Sequence, residues 1–302
     1  MNLGVVILNY LNFEDTIDCV ESLKKQSYFP KMTVIVDNHS NNDSFQQLKH
    51  EYEHDEDIHV LQTLNNLGFA QGNNAGIKYC LEHDADTVLV LNNDILFNDS
   101  DYLLKLSQLR ISENVGLIGT KIIGKNGVNQ NPVPVKNTLF NIVRRINYLY
   151  LSETKFYKVV KRILGRNSTV EKSEINNSVV HNSTNINDTS HVMLHGSAMI
   201  FTRNFFDKYR GMYPETFLYV EENILDFMLK KAGLVAQYID TLSLKHKEDQ
   251  SSQKAFGNKE SVFLEHMKKS TVIALKVYLM TYRQISKKIA SNYETLSYVD
   301  DK

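Results

Sequence analysis

The sequence predicts an α/β fold, a mostly parallel sheet with helices on both faces. Short apolar runs alternate with segments of helical spacing from residue 3 to residue 94, the βαβαβαβ order of parallel sheets. Residues 87–94 read Thr-Val-Leu-Val-Leu-Asn-Asn-Asp, and the first five carry no charge, as a strand buried on both faces requires. Three of the runs stop at polar side chains: Asn9-Tyr10, Asp37-Asn38 and Asn92-Asn93-Asp94. Parallel strands would carry these ends to one rim, the place where open α/β sheets bind ligands. Taken alone, Asn92-Asn93-Asp94 also suits a plain Asx-type turn; the convergence of three polar ends favours a site.

In chain order, residues 3–8 read as the first strand. Asn12 with Asp15 is a helix-start pattern, followed by Ile17, Val20 and Leu23 at helical spacing. Residues 33–36 form the second strand, and 43–52 a helix with Phe45, Leu48 and Tyr52 on one face. Residues 58–64 give a third, weaker strand, and 71–82 a helix leading to the strand at Thr87. The connection 65–76 holds Gly68, Gly72 and Gly76 among Asn65, Asn66, Asn73 and Asn74. It is expected to be a loop whose Gly68 and Gly72 let backbone amides approach a ligand; a flexible loop with a helix cap is the plainer alternative. The glycines are four apart, so this is not the Gly-x-Gly-x-x-Gly dinucleotide pattern. A helix over 100–109 and a strand over 115–123 follow, and Asn131-Pro132-Val133-Pro134 interrupts any element. Residues 139–166 are amphipathic and basic, 167–190 are rich in Asn and Ser and expected to be a mobile loop, and order returns over 192–201. A helix over 224–231, a last strand over 235–239 and one helix over 261–290 complete the chain. The expected organisation is a domain over 1–250, with a variable insertion at 130–190, and a helical C-terminal extension over 251–302.

A chain of 302 residues with 42% hydrophobic content can bury a normal core. Its formal charge of -1 gives no argument for nucleic acid as a partner. Cys19 and Cys80 lie far apart on predicted helices and read as buried structural thiols in a reducing compartment. The N-terminus opens on a strand rather than on a signal-peptide pattern, and no apolar stretch is long enough to span a bilayer. These features predict a cytoplasmic protein. The basic amphipathic stretches 139–166 and 261–290 allow peripheral contact with the inner face of a membrane, packing on the domain, or a homo-oligomer contact.

Four segments occur in the order seen in glycosyltransferase family 2: Ile7-Leu8-Asn9-Tyr10, Val36-Asp37-Asn38-His39-Ser40, Asn66-Leu67-Gly68-Phe69-Ala70-Gln71-Gly72-Asn73-Asn74-Ala75-Gly76 and Leu91-Asn92-Asn93-Asp94. The chain resembles the bacterial rhamnosyltransferase-like branch of that family. The resemblance covers about residues 3–250 and implies a GT-A (Rossmann-like) fold, with the nucleotide-sugar across the carboxyl ends of the first strands. It implies that Asp37 accepts from the base N3–H and that Asn9 and Tyr10 border the base. Asn38, Gly68, Asn73, Asn74, Asn92 and Asn93 complete the expected donor site. Asn73 stands where many relatives carry Arg, and Asn92 where they carry the first acid of the Asp-x-Asp motif. Asp94 matches the last acid of that motif, which implies a divalent cation, Mg²⁺ or Mn²⁺, with His246 reaching it. His195-Gly196-Ser197-Ala198-Met199 resembles the segment facing the acceptor, so His195, Gly196 and Glu221 are placed there. The run Tyr213 to Glu222 matches the acidic motif whose second acid is the catalytic base, which assigns Glu222; Ile224 stands where relatives carry an Asp, and Asp226 follows.

The implied activity is inverting transfer from a dTDP- or UDP-sugar, rhamnose by branch resemblance, to a saccharide or lipid-linked acceptor in surface polysaccharide synthesis. The chemistry needs these parts. A diphosphate leaving group must be neutralised, an attacking hydroxyl must lose its proton, and both substrates must be held together. Asn92 and Ile224 keep open an alternative, a catalytically silent nucleotide-sugar-binding subunit. A nucleotidyltransferase would need a basic Gly-rich loop near the N-terminus, and residues 9–14 offer none.

Overall fold

The computed structural model describes residues 1–133, 137–151, 192–248 and 260–300. The expected mobile loop over 167–190, and the part of the basic stretch beyond residue 151, lie outside the described residues. The first half runs β1 (Leu3–Asn9), α1 (Phe13–Lys24), β2 (Met32–Asp37), α2 (Ser44–Tyr52), β3 (Ile58–Thr63), α3 (Gly68–Glu82) and β4 (Thr87–Asn92). Then come β5 (Ile95–Phe97), α4 (Tyr102–Ser107), β6 (Val115–Ile123), α5 (Leu139–Leu151), β7 (Ala198–Phe201), α6 (Arg203–Phe206) and α7 (Glu221–Ala232). The chain ends with β8 (Val235–His246), α8 (Glu260–Leu279), α9 (Tyr282–Thr295) and β9 (Tyr298–Asp300).

The strands form one sheet in the order β5-β8-β6-β7-β4-β1-β2-β3-β9. β1 pairs in parallel with β2 on one side and β4 on the other, with Asn9 opposite Asp37 and Leu8 opposite Asn92. The chain winds outward through β2 and β3, then returns to place β4 on the far side of β1. That reversal is a topological switch point, which opens a crevice at the carboxyl ends of β1 and β4. All three predicted polar strand ends meet there.

Side chains alternate between two cores, as the pleat requires. Val6, Val34, Val36, Val88 and Val90 face one, shared with α3, α7 and the C-terminal helices. Leu3, Val5, Ile7, Ile35, Leu89 and Leu91 face the other, covered by α1, α2 and α4. Cys19 and Cys80 are free thiols, one buried in each core.

Several elements depart from expectation. α3 begins at Gly68 rather than Gln71, so the glycine-rich segment is the first turns of a helix and not a ligand-gripping loop. Its glycines serve packing. A Cβ on Gly68, at φ +76°, would lie 2.2 Å from the Phe217 carbonyl oxygen, and one on Gly76 would lie 2.4 Å from Val6. Four-residue spacing keeps these positions on one helical face, which presses against the sheet and the 217 segment. Asn12 precedes α1 and Asp15 lies in its first turn, as predicted, but the two side chains bond each other and Asn12 makes no side-chain cap bond. The predicted last strand is longer, because β8 bends at an irregularity between Thr120 and Lys121 of its partner β6 and runs on to pair with β5. The C-terminal stretch is two helices, not one. Thr281 and Gln284 form a reciprocal capping box that starts α9 afresh. Ala274, Val277, Ile285, Ile289 and Leu296 are buried in the same core as α3 and α7, so this region is packed into the domain. Among the described residues, no helix is long and apolar enough to cross a membrane.

The α3–sheet contact gives a direct test. Val6 is fully buried and β-branched, so it has little rotamer freedom to escape an added methyl at Gly76. Gly76→Ala is expected to destabilise the protein by about 1–3 kcal/mol through overpacking. Urea unfolding checks this; a midpoint equal to wild type would show that the contact is loose.

Candidate active site

The floor of the crevice is a carboxylate held by neighbours in register. Asp37 ends β2 and is fully buried. Asn9 Nδ2, from the end of β1, donates to its Oδ2 at 2.7 Å; the Ser40 N–H and Gln62 Nε2 donate to its Oδ1 at 2.9 and 3.2 Å. A carboxylate has about four acceptor positions, so one is left unfilled, on a side chain that the structure closes off from solvent. Thr16 Oγ1 donates to Asn9 Oδ1 at 2.8 Å and fixes the amide with its nitrogen toward Asp37. Tyr10 is half-buried at the rim beside them.

Five of the asparagines and glycines expected around the donor have internal partners. Asn38 holds the start of α3: its Oδ1 accepts from the Leu67 N–H, and its Nδ2 donates to the Gly68 carbonyl, both at 3.0 Å. Gly68 itself is pressed on Phe217. Asn73 is fully buried; its Nδ2 donates to the Phe69 carbonyl one turn back, and its Oδ1 has no partner. Asn74 turns toward Met212, donating to the carbonyl at 2.9 Å and accepting from the N–H at 2.7 Å. Asn93 is also buried and donates to the Asn12 carbonyl at 2.9 Å. Asn92 stays half-buried at the end of β4, with its backbone N–H on the Ser197 carbonyl.

Asp94 and His246 come together because β5 follows Asp94 directly and pairs with the end of β8. Ile95 lies opposite His246, and the Lys247 N–H donates to the Asp94 carbonyl at 2.8 Å. His246 Nε2 sits 3.2 Å from Asp94 Oδ2. On the far side of the ring, Nδ1 faces Gln130 Oε1 at 2.8 Å. The Gln130 amide nitrogen is turned to the Glu248 carboxylate, so its oxygen is the atom that faces His246. Nδ1 therefore carries the proton, and in the neutral ring the Nε2 lone pair points at a carboxylate. Two lone-pair donors set face to face need a proton or a cation between them, and a second-sphere acceptor on Nδ1 is the arrangement of metal-binding histidines. The donor set suits a divalent cation that also takes diphosphate oxygens. Among the described residues, no group of three or more His, Cys, Asp and Glu side chains is placed to hold a metal, so the protein offers one carboxylate and one imidazole.

His195 stacks edge-on to His246, with ring centroids 5.8 Å apart. Burial first, and the neighbouring His246 second, push its pKa down to about 4, so the ring is neutral at physiological pH. The Ser197 N–H donates to its Nδ1 at 3.2 Å, and Asn131 Oδ1 accepts from its backbone N–H at 2.9 Å. Sequence reading passed over Gln130 and Asn131, because their importance arises from the fold of the 123–131 turn and not from any local pattern.

The two acids of the 221–222 pair have different environments. Tyr219 and Val220 both adopt left-handed backbone, at φ 72° and 73°. That conformation is costly, most of all for a β-branched residue. It turns the chain abruptly into α7, so that Glu221 points inward and Glu222 stays partly exposed. Glu221 is 5% exposed, and its Oε1 has no hydrogen-bond partner. Burial, and then the charge of Glu222, push its pKa up to about 8. Burial also raises Glu222, opposed by its own backbone N–H, the Gly196 N–H and the positive field of Arg145. The approach to Gly196 is close: a Cβ there would lie 2.4 Å from Glu222 Oε1. Arg145, on α5, also reaches Asn223 Oδ1 at 3.4 Å. The pair thus holds one inward acid that keeps its proton at neutral pH and one partly exposed acid, Glu222, steadied by the Gly196 N–H and Arg145.

Glu221 has a measurable consequence. The folded chain keeps this proton up to about pH 8, whereas the unfolded chain releases it near 4.5. Between these values the folded state binds more protons, so stability falls as pH rises through the window. Glu221→Gln is expected to flatten that fall and to be more stable than wild type above about pH 8. Urea unfolding across the window checks it; parallel curves for the two proteins would contradict the assignment.

The chain is similar to known proteins in sequence and in fold. Residues 4–173 match the family described as Glycosyl transferase family 2. Over 145 residues the chain is 32% identical to the "Low-salt glycan biosynthesis hexosyltransferase Agl10" of Haloferax volcanii; the match covers 47% of this chain and 44% of that protein, less than half the relative's length. The solved structure of S. aureus TarS 1-349 in complex with UDP-GlcNAc aligns with 98% of this chain and 74% of its own, at a TM-score of 0.55 and 13% identity. The mannosyltransferase PcManGT of Pyrobaculum calidifontis, in complex with GDP-Man and Mn²⁺, aligns with 98% and 76%, at a TM-score of 0.51 and 12% identity. At those identities the structural likeness speaks for the fold, which is GT-A. With more than half of its residues inside the matched span, the chain belongs to glycosyl transferase family 2.

Proposed function

We propose that this protein is an inverting glycosyltransferase that moves a hexose from a nucleoside-diphosphate sugar to an acceptor hydroxyl. The observation that carries the reading is the separation of roles along one rim. Asp37 forms the floor at the end of β2, Asp94 and His246 close the end of β4, and Glu222 faces outward from the start of α7 beside Gly196. The remaining acceptor position on Asp37 suits the N3–H of a uracil or thymine base. The names of the fold neighbours, which carry UDP-GlcNAc in one case and GDP-Man in the other, support a nucleotide-sugar donor. Rhamnose and a dTDP-sugar remain the donor suggested by the family branch.

Each side chain has a defined task. Asp37 orients the base through a buried carboxylate whose other contacts are already in place. Asp94 and His246 would hold a divalent cation, which when bound neutralises the diphosphate as it leaves. Glu222 takes the proton from the acceptor hydroxyl, and the Gly196 N–H fixes the carboxylate that receives it. Neutral Glu221 keeps a second charge out of the space behind the base. The acceptor is proposed to be a saccharide or a lipid-linked saccharide of the cell surface, met at the cytoplasmic face of the membrane. In support, α5 lies next to Glu222 through Arg145 and exposes Phe140, Val143, Tyr150 and Leu151. Ile224, buried where relatives carry an acid, and half-buried Asn92 favour a second reading, a nucleotide-sugar-binding subunit without turnover.

Two variants separate these readings. Glu222→Gln preserves shape and removes the proton acceptor, so turnover should drop about 10²–10⁴-fold with donor affinity unchanged. Near-normal turnover in that variant would overturn the base, and no turnover by wild type with any donor in a UDP-, dTDP- and GDP-sugar panel would favour the silent subunit. Asp94→Ala should abolish Mn²⁺-dependent donor binding, read by calorimetry with and without the ion, while the thermal unfolding profile of the free protein persists. Equal donor affinity with and without Mn²⁺ in wild type would remove the cation from the account.

A further inference from the structure

The segment that delivers Glu222, residues 211–220, contains no regular element, yet its backbone is held at 212, 214, 217 and 218. Asn74 of α3 is 4% exposed and bonds both backbone groups of Met212, as a neighbouring strand would. One turn earlier on the same helix, Gln71 Nε2 donates to the Pro214 carbonyl at 2.9 Å. At the helix start, the Phe69 N–H donates to the Phe217 carbonyl at 2.7 Å. From the other side, Ser270 Oγ of α8 donates to the Leu218 carbonyl at 2.8 Å, and Lys276 and Lys288 both pair with Glu215. Asn292 of α9 joins the two sides. Its Nδ2 donates to Gln71 Oε1 at 3.0 Å, and its Oδ1 accepts from Asn74 Nδ2 at 3.4 Å.

This strap ends at the two left-handed residues, Tyr219 and Val220, that aim the acids. Strained backbone persists only where its surroundings over-determine it. The bonds to 212, 214, 217 and 218 are that surrounding. The Asn74 amide is turned inward in this arrangement: its oxygen serves Met212 and its nitrogen serves Met212 and Asn292. Gly211 completes the fit: a Cβ there would lie 2.6 Å from Asn74 Oδ1.

We propose that Asn74, braced by Gln71 and Asn292, is a positioning residue for the catalytic carboxylate, and that helix α9 is thereby a working part of the active site. Asn74 acts on the reaction only through where it places Glu222. The inference rests on the reading of Glu222 as the base, and its test keeps the two apart.

The experiment uses the full chain as wild type, Asn74→Ala, Asn292→Ala, Glu222→Gln and the double variant Asn74→Ala/Glu222→Gln. Steady-state transfer gives kcat and donor KM, and amide hydrogen exchange over 212–222 reports the segment directly. A misplacement of the base by about 1 Å can cost about 10²-fold, so Asn74→Ala should lose about that in kcat with donor KM unchanged. Asn292→Ala should lose less, in the same direction. Exchange over 212–222 should accelerate in both. The double variant should be no slower than Glu222→Gln alone, because a positioning residue has nothing to place once the base is gone. Three results would overturn the inference: a raised donor KM with normal kcat in Asn74→Ala, losses that multiply in the double variant, or unchanged exchange over 212–222. If Asn74→Ala does not fold, Asn292→Ala and Gln71→Ala decide by the same measures. If wild type shows no turnover, the functional reading fails, and the exchange comparison still decides whether the strap exists.

Discussion

The structure depends on the parallel register of β1 with β2 and β4. Asn9 opposite Asp37 and Leu8 opposite Asn92 mean that three apolar strands end at one level. A slip of one residue would turn every side chain to the other face of the sheet. The Val6, Val34, Val88 face and the Val5, Ile35, Leu89 face would then exchange cores. Two-sided burial therefore locks the register, and the register puts the polar ends together. The crevice at the switch point is a consequence of packing before it is a site.

The second half of the chain adds the chemistry to that rim. β8 bends away from β6 to reach β5, which carries His246 to Asp94. The hairpin-like pairing of β4 with β7 sets the Ser197 carbonyl on the Asn92 N–H, and so brings Gly196 beneath Glu222. Charge is distributed with some care along this edge. Lys247 pairs with Asp15 and Asp18, while His195 is neutral and Glu221 keeps its proton. A buried charge without a partner is costly, and at His195 and Glu221 titration, rather than pairing, removes it. Glu222, partly exposed and close to Gly196, is the other acid of the pair.

Much of the first half was legible because its signals are local. Apolar runs of strand length that stop at Asn9, Asp37 and Asn92 report both the strands and their common rim. The pairing of Asp94 with His246 followed only from family resemblance, since no local pattern links residues 152 positions apart in the chain; the β5–β8 ladder is what joins them. The glycine-rich segment misled in a specific way. Glycine permits loops and close helix packing alike, and only the neighbours Val6 and Phe217 reveal that packing is the use here. Asn73 and Asn74 look like ligand contacts by composition but face inward, because helical geometry, not residue type, decides direction. The break between α8 and α9 was written in Thr281 and Gln284, a capping box inside a continuous amphipathic pattern. β5 and β9 are three residues each, too short for any periodicity to show.

The central claim is that the rim at the ends of β1, β2 and β4 holds a nucleoside diphosphate with its cation at Asp94 and His246. Crystals of the protein grown with UDP and Mn²⁺ would test it most directly, through anomalous scattering from the metal. The account predicts one strong peak in contact with Asp94 and His246, with the base of the nucleotide bonded to Asp37. A nucleotide bound with its base away from Asp37, or a metal peak that touches neither Asp94 nor His246, would contradict it.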